Sequence, residues 1–395
     1  MLLSKIISKD IRLSKIIESN PKITGINYDS RKIKKGMMFA AIRGEKNNGI
    51  EFCDKALKAG AGSILCNKKD LKKIIKKEAN ILTTNNVRLS VSQIIKKFFP
   101  KQPKNIVAIT GTNGKTSIAF YLKSIWKAAN ISSATIGTLG IIYQNKKIPL
   151  KLTTPDPGTL YKEIDSLQAK GVKSVALEAS SHGIKQNRID ALKINRAVFS
   201  NFSRDHLDYH KNLASYFKAK KRLFSEILAI KGIAIVNNDC NYGKRIESFC
   251  KRKKIKVITY GSKKSDWKIN KVNLYNSYSE VSISIFEKPY IFKCKLFTYY
   301  QIENLVCSML IANSYKISLK KIIKWVEKIN EPPGRLEKII LKNVKSTIYI
   351  DYAHTPDAFE NILSMLKDIK QKEHKIITLF GCGGNRDQSK RPLMA

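Results

Sequence analysis

The sequence predicts an α/β protein built on a doubly wound parallel sheet, and three observations carry that expectation. Short β-branched runs recur at residues 106–110, 172–177, 197–200 and 233–236, each ending where polar residues begin. Helical stretches separate them, the alternation expected of a parallel sheet covered on both faces. A glycine-rich turn, Gly111-Thr112-Asn113-Gly114, joins the first run to a helix whose Ile118, Leu122, Ile125 and Trp126 share one face. In such sheets, ligands sit beyond the carboxyl ends of the strands.

The elements follow in order. A chain of 395 residues suits two or three domains rather than one core. Within residues 1–100, the segment 35–42 reads as a turn feeding a strand, and 62–66 as another short strand. Pro100-Lys101-Gln102-Pro103 predicts an extended linker, because two prolines so close disfavour helix. The central region, 101–332, holds the four β-branched runs, and alternation in Val281-Ser282-Ile283-Ser284-Ile285 predicts an antiparallel excursion over 265–297. Glu331-Pro332-Pro333-Gly334 marks a second break. In 333–395, residues 346–350 and 375–380 read as parallel strands flanking a helix that places Phe359, Leu363 and Leu366 on one face.

Composition excludes several classes. Hydrophobic residues make up 43% and charged ones 27%, which fits a globular chain and neither a disordered nor a fibrous one. No apolar run approaches the roughly 20 residues of a membrane-crossing helix, so no membrane insertion is expected. The N-terminal stretch alternates basic residues with Asp10 and Glu18, unlike a signal peptide or organelle presequence. Seven cysteines without a CxxC pair point to reduced thiols and a cytoplasmic setting. The formal charge of +43, from 74 Lys+Arg against 31 Asp+Glu, invites a nucleic-acid reading. The excess is mostly lysine, spread evenly among Ile and Asn, as A/T-rich codons would produce. No specific nucleic-acid partner is therefore expected.

Chemistry concentrates at the strand ends. In Thr110-Gly111-Thr112-Asn113-Gly114-Lys115-Thr116-Ser117, a strand delivers a glycine loop onto a helix N-terminus, where free N–H groups and the dipole accept phosphate oxygens. Lys115 can neutralise β- and γ-phosphate charge, and the Thr116 hydroxyl can ligate Mg²⁺. Glu178 ends the next run and offers a second Mg²⁺ ligand. Ser203-Arg204-Asp205-His206-Leu207-Asp208-Tyr209-His210 follows another strand and holds two of the chain's five histidines, with His206 the candidate for function.

These motifs resemble the Mur ligases, ATP-dependent amide-bond-forming enzymes of peptidoglycan precursor synthesis, over essentially the whole chain. The phosphate loop from Thr110 to Thr116 is similar to the family's own, including its missing leading glycine. Tyr28-Asp29-Ser30-Arg31, Thr153-Thr154-Pro155, Asp351-Tyr352-Ala353-His354-Thr355-Pro356-Asp357 and Gly381-Cys382-Gly383-Gly384-Asn385-Arg386-Asp387 resemble the branch that adds the third stem-peptide residue. Folylpolyglutamate synthases share the phosphate loop, but the first and third of these segments favour the Mur ligases.

The resemblance implies a three-domain architecture. Residues 1–100 would bind UDP, 101–332 would bind ATP, and 333–395 would form part of a Rossmann-like amino-acid-binding domain. It implies ATP and Mg²⁺ as cofactors, with UDP-N-acetylmuramoyl-dipeptide and a free amino acid as partners, and a monomeric cytoplasmic enzyme. Lys115, Lys220 and His206 would be catalytic. Nucleotide would be held by Gly111, Thr112, Asn113, Gly114, Lys115, Thr116 and Ser117, with Asn304, Arg335 and Asp351. Ser30, Glu45, Lys46 and Asn47 would hold the UDP moiety, Thr153, Thr154, Ser180, Gln186 and Arg188 the muramoyl peptide, and Arg386 the incoming carboxylate. Thr116, Glu178, His206 and a carbamylated Lys220 would bind metal, since an ammonium repels Mg²⁺ and a carbamate oxygen ligates it.

Two departures from the family pattern stand out. The family reads G-x-x-N-x-x-N near 298–304, whereas Thr298 and Gln301 replace the first two residues here and only Asn304 remains. Gln301 is expected to keep an amide contact near the adenine. The Asp-Asn-Pro-Arg-type motif that selects the third amino acid is absent from these residues. The expectation is a truncated chain that binds ATP and acceptor but ligates poorly, or a non-catalytic remnant.

Overall fold

A computed structural model describes residues 1–44, 47–275, 277–340, 346–370, 373–381 and 391–395. The chain divides into two compact units. The first comprises Met1–Pro103, Thr154–Gly171 and His182–Leu192; the second comprises Lys104–Thr153, Val172–Ser181 and Lys193–Ala395.

The first unit is built on strands β1 (Arg12–Lys15), β2 (Ile26–Asn27), β3 (Met38–Ala40), β4 (Ser63–Asn67) and β5 (Asn80–Thr84), in the order β1-β5-β4-β3-β2. All neighbours run parallel except β1 against β5. Phe39, Ile64, Cys66 and Ile81 make its core. The helix Val87–Phe98 starts where Asn86 accepts from the Leu89 N–H, and the helix Pro157–Ala169 where Asp156 accepts from Thr159. Both are side-chain caps of the usual kind, and Pro157 adds a pre-set φ at the first helical position.

Among the described residues the second unit holds an 11-stranded sheet. Its strands are β6 (Asn105–Thr110), β7 (Ser133–Gly137), β8 (Gly140–Tyr143), β9 (Lys146–Ile148), β10 (Ser174–Glu178), β11 (Ile194–Phe199), β12 (Leu228–Asn237), β13 (Lys256–Gly261), β14 (Trp267–Leu274), β15 (Ser279–Ile285) and β16 (Lys288–Cys294). Strands β7-β10-β6-β11-β12-β13-β14 lie side by side and parallel. Antiparallel β8 and β9 extend one edge, and β15 and β16 the other. The predicted parallel centre and antiparallel excursion are thus both present. Ile118, Leu122, Ile125 and Trp126 are fully buried on the helix Lys115–Ala128, which packs against the helix Tyr299–Ser314.

Two expectations for the C-terminal segment require correction. Residues 346–350 pair as β18 (Thr347–Ile350) with β17 (Glu337–Ile340), and the pairing is antiparallel. The short connection between them leaves no length for the crossover that parallel strands need. Residues 375–380 form no strand; Ile377 and Leu379 are 94% and 99% exposed. An apolar run becomes a strand only where a neighbour supplies its ladder, and the described residues offer none. The predicted helix is present as Pro356–Ile369. No described helix is long and apolar enough to cross a membrane.

Candidate active site

The phosphate loop forms at the carboxyl end of β6. Gly114 has φ 85°, the left-handed region, and is the N-cap of the helix Lys115–Ala128 without a side-chain hydrogen bond. Glycine is required twice over, because a Cβ there would also strike Asn304 Oδ1. Residues after β11 brace the loop: Asn201 Oδ1 accepts from Asn113 N at 2.8 Å, and Ser200 Oγ donates to the Asn113 carbonyl at 2.6 Å. Lys115 Nζ donates to the carbonyls of Gly111 at 2.9 Å and Thr112 at 2.7 Å. Its burial holds the ammonium pKa below the usual lysine range, with Glu178 opposing.

A buried carboxylate faces this loop. Glu178, 2% exposed, accepts from Thr116 Oγ1 at 3.1 Å, from Thr138 N at 2.9 Å and from Thr138 Oγ1 at 3.1 Å. Gly137 lets the backbone pass directly against the Glu178 side chain, where a Cβ would collide with Oε1. Hydroxyl and carboxylate oxygens side by side are the hard donors that Mg²⁺ prefers, few in number and leaving room for water and phosphate. Among the described residues no group of three His, Cys, Asp or Glu forms a metal cage. The Thr116 hydroxyl and the Glu178 carboxylate are donors of the kind that fits such an ion, with other positions left to water or phosphate.

Lys220 and His206 flank the ring of Tyr216. Lys220 is 1% exposed, donates to the Gly111 carbonyl at 2.7 Å, and its Nζ lies 4.4 Å from the Tyr216 ring centre. Burial pushes its pKa well below the usual range, and Lys115 pushes the same way while Asp205 opposes. The amine is thus held toward its neutral, nucleophilic form. The His206 ring centre is 6.0 Å from that of Tyr216, and its Nε2 is 3.2 Å from Asp205 Oδ2. His354 Nε2 approaches the same oxygen at 3.6 Å.

A cavity of ≈ 240 Å³ opens beside the loop, and Asn113, Gly114, Thr116, Ser117, Asn304, Arg335 and Asp351 all line it. Arg335 Nη2 donates to Thr116 Oγ1 at 3.2 Å, and its guanidinium lies 4.7 Å from the Tyr352 ring centre. Asp351 Oδ2 accepts from Leu336 N at 2.7 Å, and burial raises its pKa. Seven of the predicted nucleotide-binding residues thus meet at one cavity, with Gly111, Thr112 and Lys115 in the adjoining loop.

Thr298 and Gln301, which replace the first two residues of the family's G-x-x-N-x-x-N pattern, make contacts within the protein. Thr298 caps the helix Tyr299–Ser314, its Oγ1 accepting from Gln301 N at 3.2 Å. The same hydroxyl donates to Gln301 Oε1 at 3.0 Å, and Gln301 Nε2 donates to the Arg335 carbonyl at 3.3 Å. The Gln301 amide is engaged within the protein on both sides.

In the first unit, Arg188 joins two other predicted substrate residues, donating to the Thr154 carbonyl at 2.6 Å and to Gln186 Oε1 at 2.7 Å. Ser30 is buried at the start of the short helix Ser30–Lys32, behind Tyr28 and Asp29, which line a cavity of ≈ 390 Å³ with Asp156 and Thr159. Asn47 is exposed, and its carbonyl accepts from Gly44 N at 2.9 Å. In the second unit, Thr153 Oγ1 lies 3.2 Å from Thr138 Oγ1, and Ser180 is half-buried just after β10. Glu45, Lys46 and Arg386 lie outside the described residues.

Sequence reasoning gave no role to Thr138, Tyr216 and Glu303, and read Asn201 only as the start of the family-like segment Asn201–His210. Asn201 and Thr138 each follow a parallel strand closely, so the rule that ligands gather at carboxyl ends would have found both. Glu303 gave no signal, since a glutamate within a helix normally faces solvent. Here it is half-buried in the cavity wall, hydrogen-bonded with Asn237 and Asp239, and desolvation raises its pKa to about 7.

Family models match along the chain: Mur ligase family, catalytic domain, over residues 22–99; Mur ligase middle domain over 109–312; and Mur ligase, glutamate ligase domain over 334–395. A UDP-N-acetylmuramoyl-L-alanyl-D-glutamate–2,6-diaminopimelate ligase of Rickettsia montanensis is 35% identical over 94% of this chain and 77% of its own length. A solved structure of a ligase with that same name is 29% identical, with a TM-score of 0.75 over 96% of this chain and 77% of the other. MurF from Acinetobacter baumannii shares the fold at 18% identity and a TM-score of 0.60, over 90% of this chain and 73% of its own.

Proposed function

The chain belongs to the Mur ligase family, and on that premise we propose that it joins 2,6-diaminopimelate to UDP-N-acetylmuramoyl-L-alanyl-D-glutamate in an ATP-dependent ligation. The observation that carries this reading is the convergence of Thr116, Glu178 and Arg335 on the phosphate loop, within a chain 35% identical to a ligase of that name. A carboxylate resists attack by an amine, and phosphorylation converts it to an acyl phosphate that an amine can displace. The chain's own contribution is positioning and charge neutralisation, because phosphoryl transfer needs little covalent help from the protein.

Lys115, released from the loop carbonyls, would meet the β- and γ-phosphate oxygens, while the loop N–H groups fix their orientation. Thr116 and Glu178 would hold one Mg²⁺, which when bound offsets repulsion between the phosphates and the acceptor carboxylate. His206 and Lys220 are proposed as ligands of a second ion, with Lys220 carbamylated; the buried, depressed amine favours reaction with CO₂. Arg335 and Asn304 would contact nucleotide, and Arg188 with Gln186 the acceptor peptide. We retain the three-part division at 1–100, 101–332 and 333–395, a cytoplasmic location and a monomeric state as part of the same proposal.

The test is product formation. Incubation with ATP, Mg²⁺, the UDP-linked dipeptide and diaminopimelate should yield the UDP-linked tripeptide by mass spectrometry. Lys115→Met should lower the rate by about 10²–10³-fold, as loss of a preorganised charge contact does. Turnover unaffected by that substitution would contradict the assignment.

A further inference from the structure

We propose that Gln301 is a positioning residue for nucleotide binding, acting through Arg335, with Thr298 as the group that orients it. The inference rests on the nucleotide reading of the cavity and adds a residue to it. Three distances form a chain. Thr298 Oγ1 donates to Gln301 Oε1 at 3.0 Å, Gln301 Nε2 donates to the Arg335 carbonyl at 3.3 Å, and Arg335 Nη2 donates to Thr116 Oγ1 at 3.2 Å.

Each link is directional. The Arg335 carbonyl can only accept, so it fixes Nε2 as the end of the Gln301 amide that faces it. That leaves Oε1 to accept from the Thr298 hydroxyl, which holds the amide in place. Both Thr298 and Gln301 are buried, at 3% and 4% exposure, so their mutual contact is shielded from bulk water. Arg335 itself has positive-φ neighbours on either side, Gly334 and Leu336, with φ of 65° and 54°. A segment so turned needs an external anchor, and the Gln301 amide supplies one from the packed helix Tyr299–Ser314. With its backbone held there, the guanidinium reaches both the Tyr352 ring and the Thr116 hydroxyl. A side chain one methylene shorter, held at the same cap, would fall short of the Arg335 carbonyl.

Equilibrium titration of Mg²⁺-ATP tests this with a double-mutant cycle. Gln301→Met keeps length and shape without the donor, and Arg335→Ala removes the group to be positioned. Gln301→Met should weaken ATP binding by about 5–30-fold, the range of one buried hydrogen bond lost. It should leave affinity for the UDP-linked dipeptide unchanged, and it should have no further effect in the Arg335→Ala background. Thr298→Val should weaken ATP binding in the same direction, so the test survives a poorly folding Gln301 variant. Equal ATP affinity in Gln301→Met and the parent overturns the inference, as does a loss that simply adds to that of Arg335→Ala. Failure of the unsubstituted protein to bind ATP would instead contradict the nucleotide reading itself, and the inference with it.

Discussion

At the scale of single residues, burial shifts the ionisation of two groups near the phosphate loop in opposite directions. Lys220 is an amine enclosed beside a second lysine and pushed well below its ordinary pKa. On the proposed carbamylation, removal of bicarbonate should lower ligase activity and its return should restore it. Lys220→Ala should lose activity and recover part of it with added short carboxylates, which can occupy the carbamate's place; activity indifferent to both would contradict the assignment. Glu303 moves the opposite way, raised to about 7 from 4.5 by burial. Its folded-state value lies above its unfolded one, so the stability it contributes is full below pH 4.5 and is lost as pH rises through about 7. Glu303→Gln, a mimic of the protonated acid, should remove that part of the decline, on the order of 3 kcal/mol between the two limits. Chemical denaturation across this range measures it. Of these groups, Lys220 was legible only through its register with a family motif, one lysine among many, and Glu303 not at all. A side chain's pKa is set by what encloses it, and enclosure is not written in local sequence.

At the scale of elements, the strand-to-helix turn at residues 110–115 was readable in full. A β-branched run, two glycines and an amphipathic helix each state their own geometry, and β6, the loop and the helix Lys115–Ala128 follow them. Gly114→Ala should destabilise the protein by about 1–2 kcal/mol, the cost of a left-handed conformation for a residue with a Cβ. It should also weaken nucleotide binding by displacing Asn304, and denaturation with parallel ATP titration would report both. The C-terminal elements were less readable. Residues 346–350 have strand composition, but composition states neither partner nor direction, and the short link to β17 decided for antiparallel pairing. Thr298 and Gln301 looked like losses from a family motif. In the fold Thr298 caps a helix and Gln301 holds the Arg335 backbone, the latter a contact between residues 34 positions apart that no local pattern announces.

At the scale of the whole molecule, the parallel sheet gathers sequence-distant groups at one edge. Glu178 ends β10, Asn201 follows β11, and the phosphate loop follows β6, the strand between them. That placement follows from strand order, and it explains why strand-end residues were the ones sequence reading could propose. The charge of +43 acts over a longer range than these contacts. Both proposed phosphorylated substrates are anions, so added salt should slow their association and raise their KM with little change in kcat, because screening weakens steering and leaves buried contacts intact. Steady-state kinetics across a salt series would show this, and a kcat falling as steeply as kcat/KM would contradict it. The most direct test of the account is a calorimetric titration of the protein with ATP in the presence and absence of Mg²⁺. The account predicts saturable binding that strengthens with Mg²⁺, is lost in Lys115→Met and loses its metal dependence in Glu178→Gln. Binding that ignores the metal, or no binding at all, would contradict it.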